Sequence, residues 1–171
     1  MRIIGFAAFL ALAACMPVQN AGLQPQAPTQ GWVMEAPGPP DRLGRAYVTN
    51  AEGVTLSVAC GNGGTAGINL TPDPRLARQR EISNAILMFS VDGGRQRQLP
   101  AGCSASGCYQ DFMLGGEPWP ARETSRIVSA LRKGSNVDVF LGGQVIQSFS
   151  LSGSSRVLES YRRAAGNCEG L

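Results

Sequence analysis

Short segments in which apolar and polar residues alternate predict a mainly β chain. The clearest is residues 54–60, where every second side chain is apolar or a cysteine, the period of a half-buried strand. Residues 85–91 form the most apolar run beyond the N-terminal segment and predict a core strand. Residues 95–99 are polar and predict an edge strand. The other predicted strands cover residues 47–49, 68–70, 109–114, 136–141 and 144–151.

Glycine pairs and helical spacing of apolar residues predict the remaining elements. Gly93-Gly94 and Gly142-Gly143 each separate two predicted strands, and glycine reaches the positive φ of a tight hairpin without strain. An apolar stripe predicts a short helix near 122–133, with Thr124 as its N-cap. A second stripe predicts a C-terminal helix near 155–165. We therefore expect a small antiparallel β-sandwich or barrel-like domain with two helices.

The N-terminus has the layout of an export signal. Arg2 precedes an apolar run, residues 3–14, and a cysteine follows. The run has 12 residues, whereas a spanning helix needs roughly 20, so a signal peptide is the better interpretation. The tetrapeptide Leu12-Ala13-Ala14-Cys15 resembles the lipobox of bacterial lipoproteins.

The lipobox resemblance implies a processed and lipidated chain. Residues 1–14 would be removed as the signal peptide, and Cys15 would carry a diacylglycerol and an N-terminal acyl chain such as palmitate. Two or more acyl chains anchor a protein stably, so the membrane is the expected partner. Met16, rather than aspartate, implies the outer membrane, with the domain facing the periplasm. The alternative is a plain signal peptide followed by an ordinary buried Cys15.

Composition separates a spacer from a folded domain. Residues 15–44 contain six of the eleven prolines and few charges, which predicts a semi-rigid tether. Residues 45–171 then form a single β-rich domain. An apolar cluster around Trp32 interrupts the tether, and the sequence leaves open whether Trp32 docks on the domain or stays exposed.

Four cysteines remain beyond Cys15, and the chain has no histidine. An even count in an exported chain predicts two disulfides, with three possible pairings. We favour Cys103–Cys108, across a short flexible segment, and Cys60–Cys168, which would tie a strand to the C-terminus. A zinc site is the alternative, although paired CxxC units are missing. Without histidine, Ser-His-Asp and Cys-His catalysis are excluded, so we expect no enzyme, cofactor or metal.

Charge limits the classes of partner. The formal net charge of +3 is too small for nucleic-acid binding to be the default interpretation. Five arginines in the middle of the chain predict a basic patch for a phosphate or carboxylate, unless they are merely solvated. They are Arg75, Arg78, Arg80, Arg95 and Arg97. The nearby carboxylates of Asp92, Asp111 and Asp138 show no spacing that pairs them for acid–base catalysis.

Residues 83–165 show a second resemblance. An apolar strand and a cysteine loop precede a helix ending in Leu131-Arg-Lys-Gly134, and Phe149-Ser-Leu-Ser-Gly-Ser154 leads into another helix. This order is similar to the exported β-sandwich-like domain of the invasion-associated locus B family, which implies a non-enzymatic envelope protein. The sequence thus predicts an envelope lipoprotein with a structural or protein-interaction role. The alternative is a binding module for an anionic glycan or lipid headgroup.

Overall fold

A computed structural model describes residue 29 and residues 31–38, 44–61, 64–72 and 82–171. The expected signal peptide, Cys15 and most of the expected tether lie outside the described residues. Arg75, Arg78 and Arg80 also lie outside them.

In the described part of the chain, nine antiparallel strands form one curled sheet, a half-barrel, and two helices pack with it. The first strands are β1 (Val33–Glu35), β2 (Arg45–Thr49), β3 (Thr55–Cys60), β4 (Ala66–Thr71) and β5 (Ile82–Val91). The others are β6 (Arg97–Ser104), β7 (Gly107–Gln110), β8 (Met113–Leu114), β9 (Glu117–Pro118), β10 (Asn136–Leu141) and β11 (Gln144–Ser150). The strand order is β1-β2-β3-β4-β7-β6-β5-β10-β11, with β8 and β9 as a separate hairpin. The expected mainly β fold is confirmed.

The position of β6 differs from the sequence-based prediction. We expected a polar edge strand over residues 95–99, but β6 lies between β5 and β7. Its second half, beyond Leu99, contains the buried residues Ala101 and Cys103, and these pair with β7. The polar residues at the start of the strand indicated an edge position, whereas the strand lies inside the sheet. The predicted strand 109–114 is also divided, because the chain turns at Asp111, whose Oδ1 accepts a hydrogen bond from the Met113 amide at 2.9 Å.

The helices α1 (Ala121–Lys133) and α2 (Ser154–Ala165) contact each other and the sheet. Each buries an apolar stripe, as the helical spacing predicted. The prediction that Thr124 caps α1 is wrong, because the helix begins earlier and its N-cap is Pro120. Thr124 is instead fully buried, and its Oγ1 accepts a hydrogen bond from Gln110 Nε2 at 2.9 Å.

Trp32 docks on the domain. Its side chain is 6% exposed within the core, and its amide donates to the Ser152 carbonyl at 3.1 Å. The strand that follows, β1, pairs with β2. The folded unit therefore includes residues that composition alone assigned to the tether.

Two cysteine pairs lie at disulfide distance, and they are the two pairs that the sequence favoured. Cys60 and Cys168 have Cα atoms 6.0 Å apart and join β3 to the C-terminal segment. Cys103 and Cys108 face each other in the β6–β7 register, with Cα atoms 4.0 Å apart. Both bridges support the sheet that carries the candidate site.

Candidate functional site

A cationic groove lies between the β5–β6 hairpin and α1. It contains a cavity of about 380 Å³, at the lower end of the roughly 300–1,000 Å³ typical of ligand pockets. We define the groove by the four cations that line this cavity: Arg95, Arg97, Arg126 and Lys133. Two come from the start of β6 and its preceding turn, and two come from α1.

The helical contribution follows from the period of α1. Arg126, Ser129, Ala130 and Lys133 recur at i, i+3, i+4 and i+7, so they share one side of the helix. All four line the cavity. Arg126 is not among the site residues predicted from the sequence, although the regular spacing of these four residues is visible there.

The strand contribution follows from the register of the sheet. Arg97 stands directly opposite Phe89, and opposite residues in an antiparallel pair point to the same face. Phe89 and Ile127 are each 1% exposed and form an apolar floor to the cavity. The arginine side chain thus emerges beside an apolar surface. There, solvent screens the attraction between the guanidinium and an anion less strongly than in open water.

Few counterions compensate the groove. Arg126 Nη1 donates to Glu123 Oε1 at 2.6 Å. Arg95, Arg97 and Lys133 form no salt bridge with any residue that the structure describes. A concave surface with uncompensated positive charge attracts anions, and the guanidinium fork matches phosphate and carboxylate geometry.

Asp92 lines the groove but has a structural role. Its Oδ1 accepts a hydrogen bond from the Asn136 amide at 2.8 Å, and its Oδ2 accepts one from the Ser135 amide at 3.0 Å. These bonds join the β5–β6 turn to the segment between α1 and β10. The carboxylate therefore fixes the distance between the two walls of the groove.

A second cavity of about 600 Å³ continues the groove. It shares Arg95, Arg97 and Arg126 with the first, and Trp119 and Glu123 also line it. The combined surface extends from the C-terminal end of α1 to the residue that precedes Pro120. An indole beside guanidinium groups suits a ligand that combines a ring with a negative charge.

The other candidate carboxylates do not join this site. Asp138 accepts a hydrogen bond from Ser148 Oγ at 2.6 Å, and Asp111 accepts the Met113 amide described above. Neither lines the groove. Within the described ranges, no three histidine, cysteine, aspartate or glutamate residues are grouped as a metal site requires.

A second surface lies on the outside of the sheet. The β8–β9 hairpin follows Phe112, which covers Gly67 on β4. Phe112, Met113 and Leu114 are exposed, as is Tyr109 on β7. Singly exposed apolar residues are ordinary, whereas a contiguous group indicates an interaction surface.

The chain matches no protein-family model, no curated protein and no solved structure. The resemblance to the invasion-associated locus B family stays a prediction. None of the helices in the described part of the chain is long and apolar enough to cross a bilayer.

Proposed function

We propose that this chain is an envelope lipoprotein whose periplasmic domain binds an anionic ligand without catalysing a reaction. Cys15 would anchor it to the outer membrane. The ligand would be the phosphate or carboxylate of an envelope glycan or of a lipid headgroup. The observation that carries this proposal is the cavity of about 380 Å³ with four cations at its walls.

The geometry supports binding through charge and shape together. Arg95 and Arg97 have no described counterion, so a bound anion would not have to displace an existing ion pair. Hydrogen bonds that involve a charged group contribute about 1.5–3 kcal/mol each. The chain also lacks histidine, the usual general base at neutral pH, which favours a binding role over an enzymatic one.

Arg97→Gln is the direct test of the groove. We expect it to weaken binding about tenfold, since losing one charge-assisted hydrogen bond costs at least about 1.4 kcal/mol. Calorimetric titration of the full chain would use two probes, phosphatidylglycerol vesicles and a soluble phosphorylated glycan, to distinguish the sources of the anion. Phosphatidylcholine vesicles provide the uncharged comparison.

Arg156→Gln is the matched control, because it removes the same charge from an exposed position of α2 outside the groove. It should leave affinity within about twofold of the native chain, as a distant surface charge contributes little. Equal losses from both variants would show that net charge, and not the groove, governs binding. No anion binding at all would refute the proposal.

Cys15→Ala tests the anchor separately. Removal of the acylated thiol should release the chain from the membrane fraction, because lipid attachment provides most of the membrane affinity in this proposal. Fractionation of cells that express either form measures the effect. A Cys15→Ala chain that stays fully in the membrane fraction would contradict lipidation at Cys15.

A second role, protein interaction, is favoured by the exposed hairpin. Tyr109 and Phe112, which precede it, lie on the outer face of the sheet, and Met113 and Leu114 are exposed on the hairpin itself. Binding of an anion does not explain them, so they point to a contact with another protein.

A further inference from the structure

The β8–β9 hairpin is built to project apolar side chains. Of the six large apolar residues that are exposed in the described part of the chain, four are Tyr109, Phe112, Met113 and Leu114. Gly115 and Gly116, at φ of 60° and 89°, form its two-residue turn, a geometry that suits the twist of paired strands. An isolated two-stranded hairpin is only marginally stable in water, so a partner that covers it would stabilise it.

Acidic residues flank the apolar side chains. Glu117 stands opposite Leu114 in the hairpin register, and Asp111 precedes the hairpin. Glu117 forms no salt bridge with any residue in the described ranges. Insertion of the hairpin tip into a membrane is disfavoured. Burial of a carboxylate in hydrocarbon costs several kcal/mol, and anionic headgroups repel it. The hairpin therefore suits a protein surface with an apolar floor and a cationic rim.

We propose that this partner surface is the cationic groove of a second copy of the chain. Above the buried Phe89 and Ile127, the groove presents the partly exposed Val91 and Ala130, and Arg95 and Arg97 form its rim. Its cavity of about 380 Å³ exceeds the roughly 150 Å³ that accommodates a benzene ring. Leu114 lies on the same side of the hairpin as Glu117, so its apolar side chain fits the cavity with Glu117 against the arginines.

The position of the hairpin favours a reciprocal contact. Trp119 ends the hairpin segment and lines the same groove system as Arg97, so the projecting and receiving surfaces are neighbours. Two copies related by a two-fold axis would each insert a hairpin into the groove of the other, which closes the assembly. This inference rests on the groove of the proposed function, and an anionic ligand would compete with the partner's hairpin.

Two differently tagged copies of the full chain, expressed together, provide the test. Leu114→Ser in both copies should lower co-isolation about tenfold, as expected for an apolar anchor at the centre of an interface. Val145→Ser is the matched control, because Val145 is also an exposed apolar residue, 48% exposed on β11. It should co-isolate like the native chain. Loss of co-isolation in both variants, or in neither, would overturn the inference.

Charge exchange identifies the partner surface. Glu117→Arg in both copies, or Arg97→Glu in both, should reduce co-isolation. One copy with Glu117→Arg and one with Arg97→Glu should recover it, because both reciprocal contacts then pair opposite charges, one exchanged and one as in the native chain. If each variant reduces co-isolation and the mixed pair does not restore it, the hairpin binds elsewhere. That result would overturn the assignment to a second copy.

The two proposals fail separately. Leu114→Ser removes no groove residue and leaves the groove free of the competing hairpin, so its anion affinity should equal or exceed that of the native chain. A native chain that binds anions but does not self-associate would refute only the second-copy inference. A chain whose self-association depends on Leu114 and Arg97, but whose Leu114→Ser variant binds neither anionic probe, would refute only the proposed function.

Discussion

Tyr161 shows how one polar atom inside the core can join distant parts of the chain. It lies on α2 and its side chain is fully buried. Its hydroxyl accepts a hydrogen bond from the Cys60 amide at 2.8 Å and donates one to the Gly44 carbonyl at 3.2 Å. Burial raises the pKa of the phenol, and the bond from the Cys60 amide opposes that rise.

Tyr161→Phe should therefore have a pH-dependent effect on the free energy of unfolding. A group whose pKa is higher in the folded state stabilises the fold below its unfolded pKa, about 10 for tyrosine, and loses this contribution as the pH rises through the folded pKa. The variant should be less stable than the native chain near neutral pH by about 1–3 kcal/mol. The difference in the free energy of unfolding between the two chains should narrow above about pH 10. Urea denaturation at several pH values measures the free energy of unfolding of both chains. A difference that stays constant with pH would contradict the raised pKa of Tyr161.

At the scale of elements, a polar contact positions the helix that forms one wall of the groove. Gln110 on β7 is 7% exposed. Its Oε1 accepts a hydrogen bond from the Ile68 amide at 3.0 Å, and its Nε2 donates to Thr124 Oγ1 at 2.9 Å. One side chain thus joins β4, β7 and α1. A buried amide of this kind orients its neighbours, because an unmatched donor would be costly.

Thr124→Val should destabilise the domain by about 1–3 kcal/mol, because it leaves Gln110 Nε2 buried without an acceptor. Thr124→Ser retains the hydroxyl and should cost less, about the value of one buried methyl group, roughly 1 kcal/mol. Chemical denaturation of the two variants gives the comparison. A larger loss for serine than for valine would show that packing, and not the hydrogen bond, dominates at this position.

For the whole molecule, the half-barrel is joined near its open edges by contacts between distant segments. The Trp32 amide bonds to Ser152, beyond β11, and Asn50 Nδ2 donates to Gln147 Oε1 at 2.7 Å. The C-terminal segment also joins β4, since the Ala66 amide donates to the Glu169 carbonyl at 2.7 Å. The adjacent Cys60–Cys168 bridge links residues 108 positions apart, so it restrains nearly the whole unfolded domain.

Removal of the two disulfides should have unequal effects. In the chain-entropy model, a ring that closes over 108 residues contributes about 5 kcal/mol, and one that closes over 5 residues contributes about 2 kcal/mol. The Cys60→Ala/Cys168→Ala variant should therefore unfold at a lower urea concentration than the Cys103→Ala/Cys108→Ala variant. The reverse order would show that local packing at the buried short-range pair outweighs ring size.

The local elements were largely predictable, and the assembled sites were not. The strands around residues 54–60 and 85–91 and both helices follow from local periodicity, because burial of one face imposes it directly. The position of β6 was not predictable from its polar start. Arg97 was recognised as a candidate, but Arg126 was not, because the two residues meet only after α1 packs beside the β5–β6 hairpin.

By itself, the sequence determined the mainly β class and both helices, since these depend on local period and turn residues. It favoured the two cysteine pairs but left three pairings possible. Only the tertiary structure decided the docking of Trp32, the interior place of β6 and the conversion of scattered arginines into a groove. It also decided that the residues after Gln110 leave the main sheet as an exposed hairpin. These outcomes depend on which segments pack together across long sequence separations, and local periodicity contains no information about that.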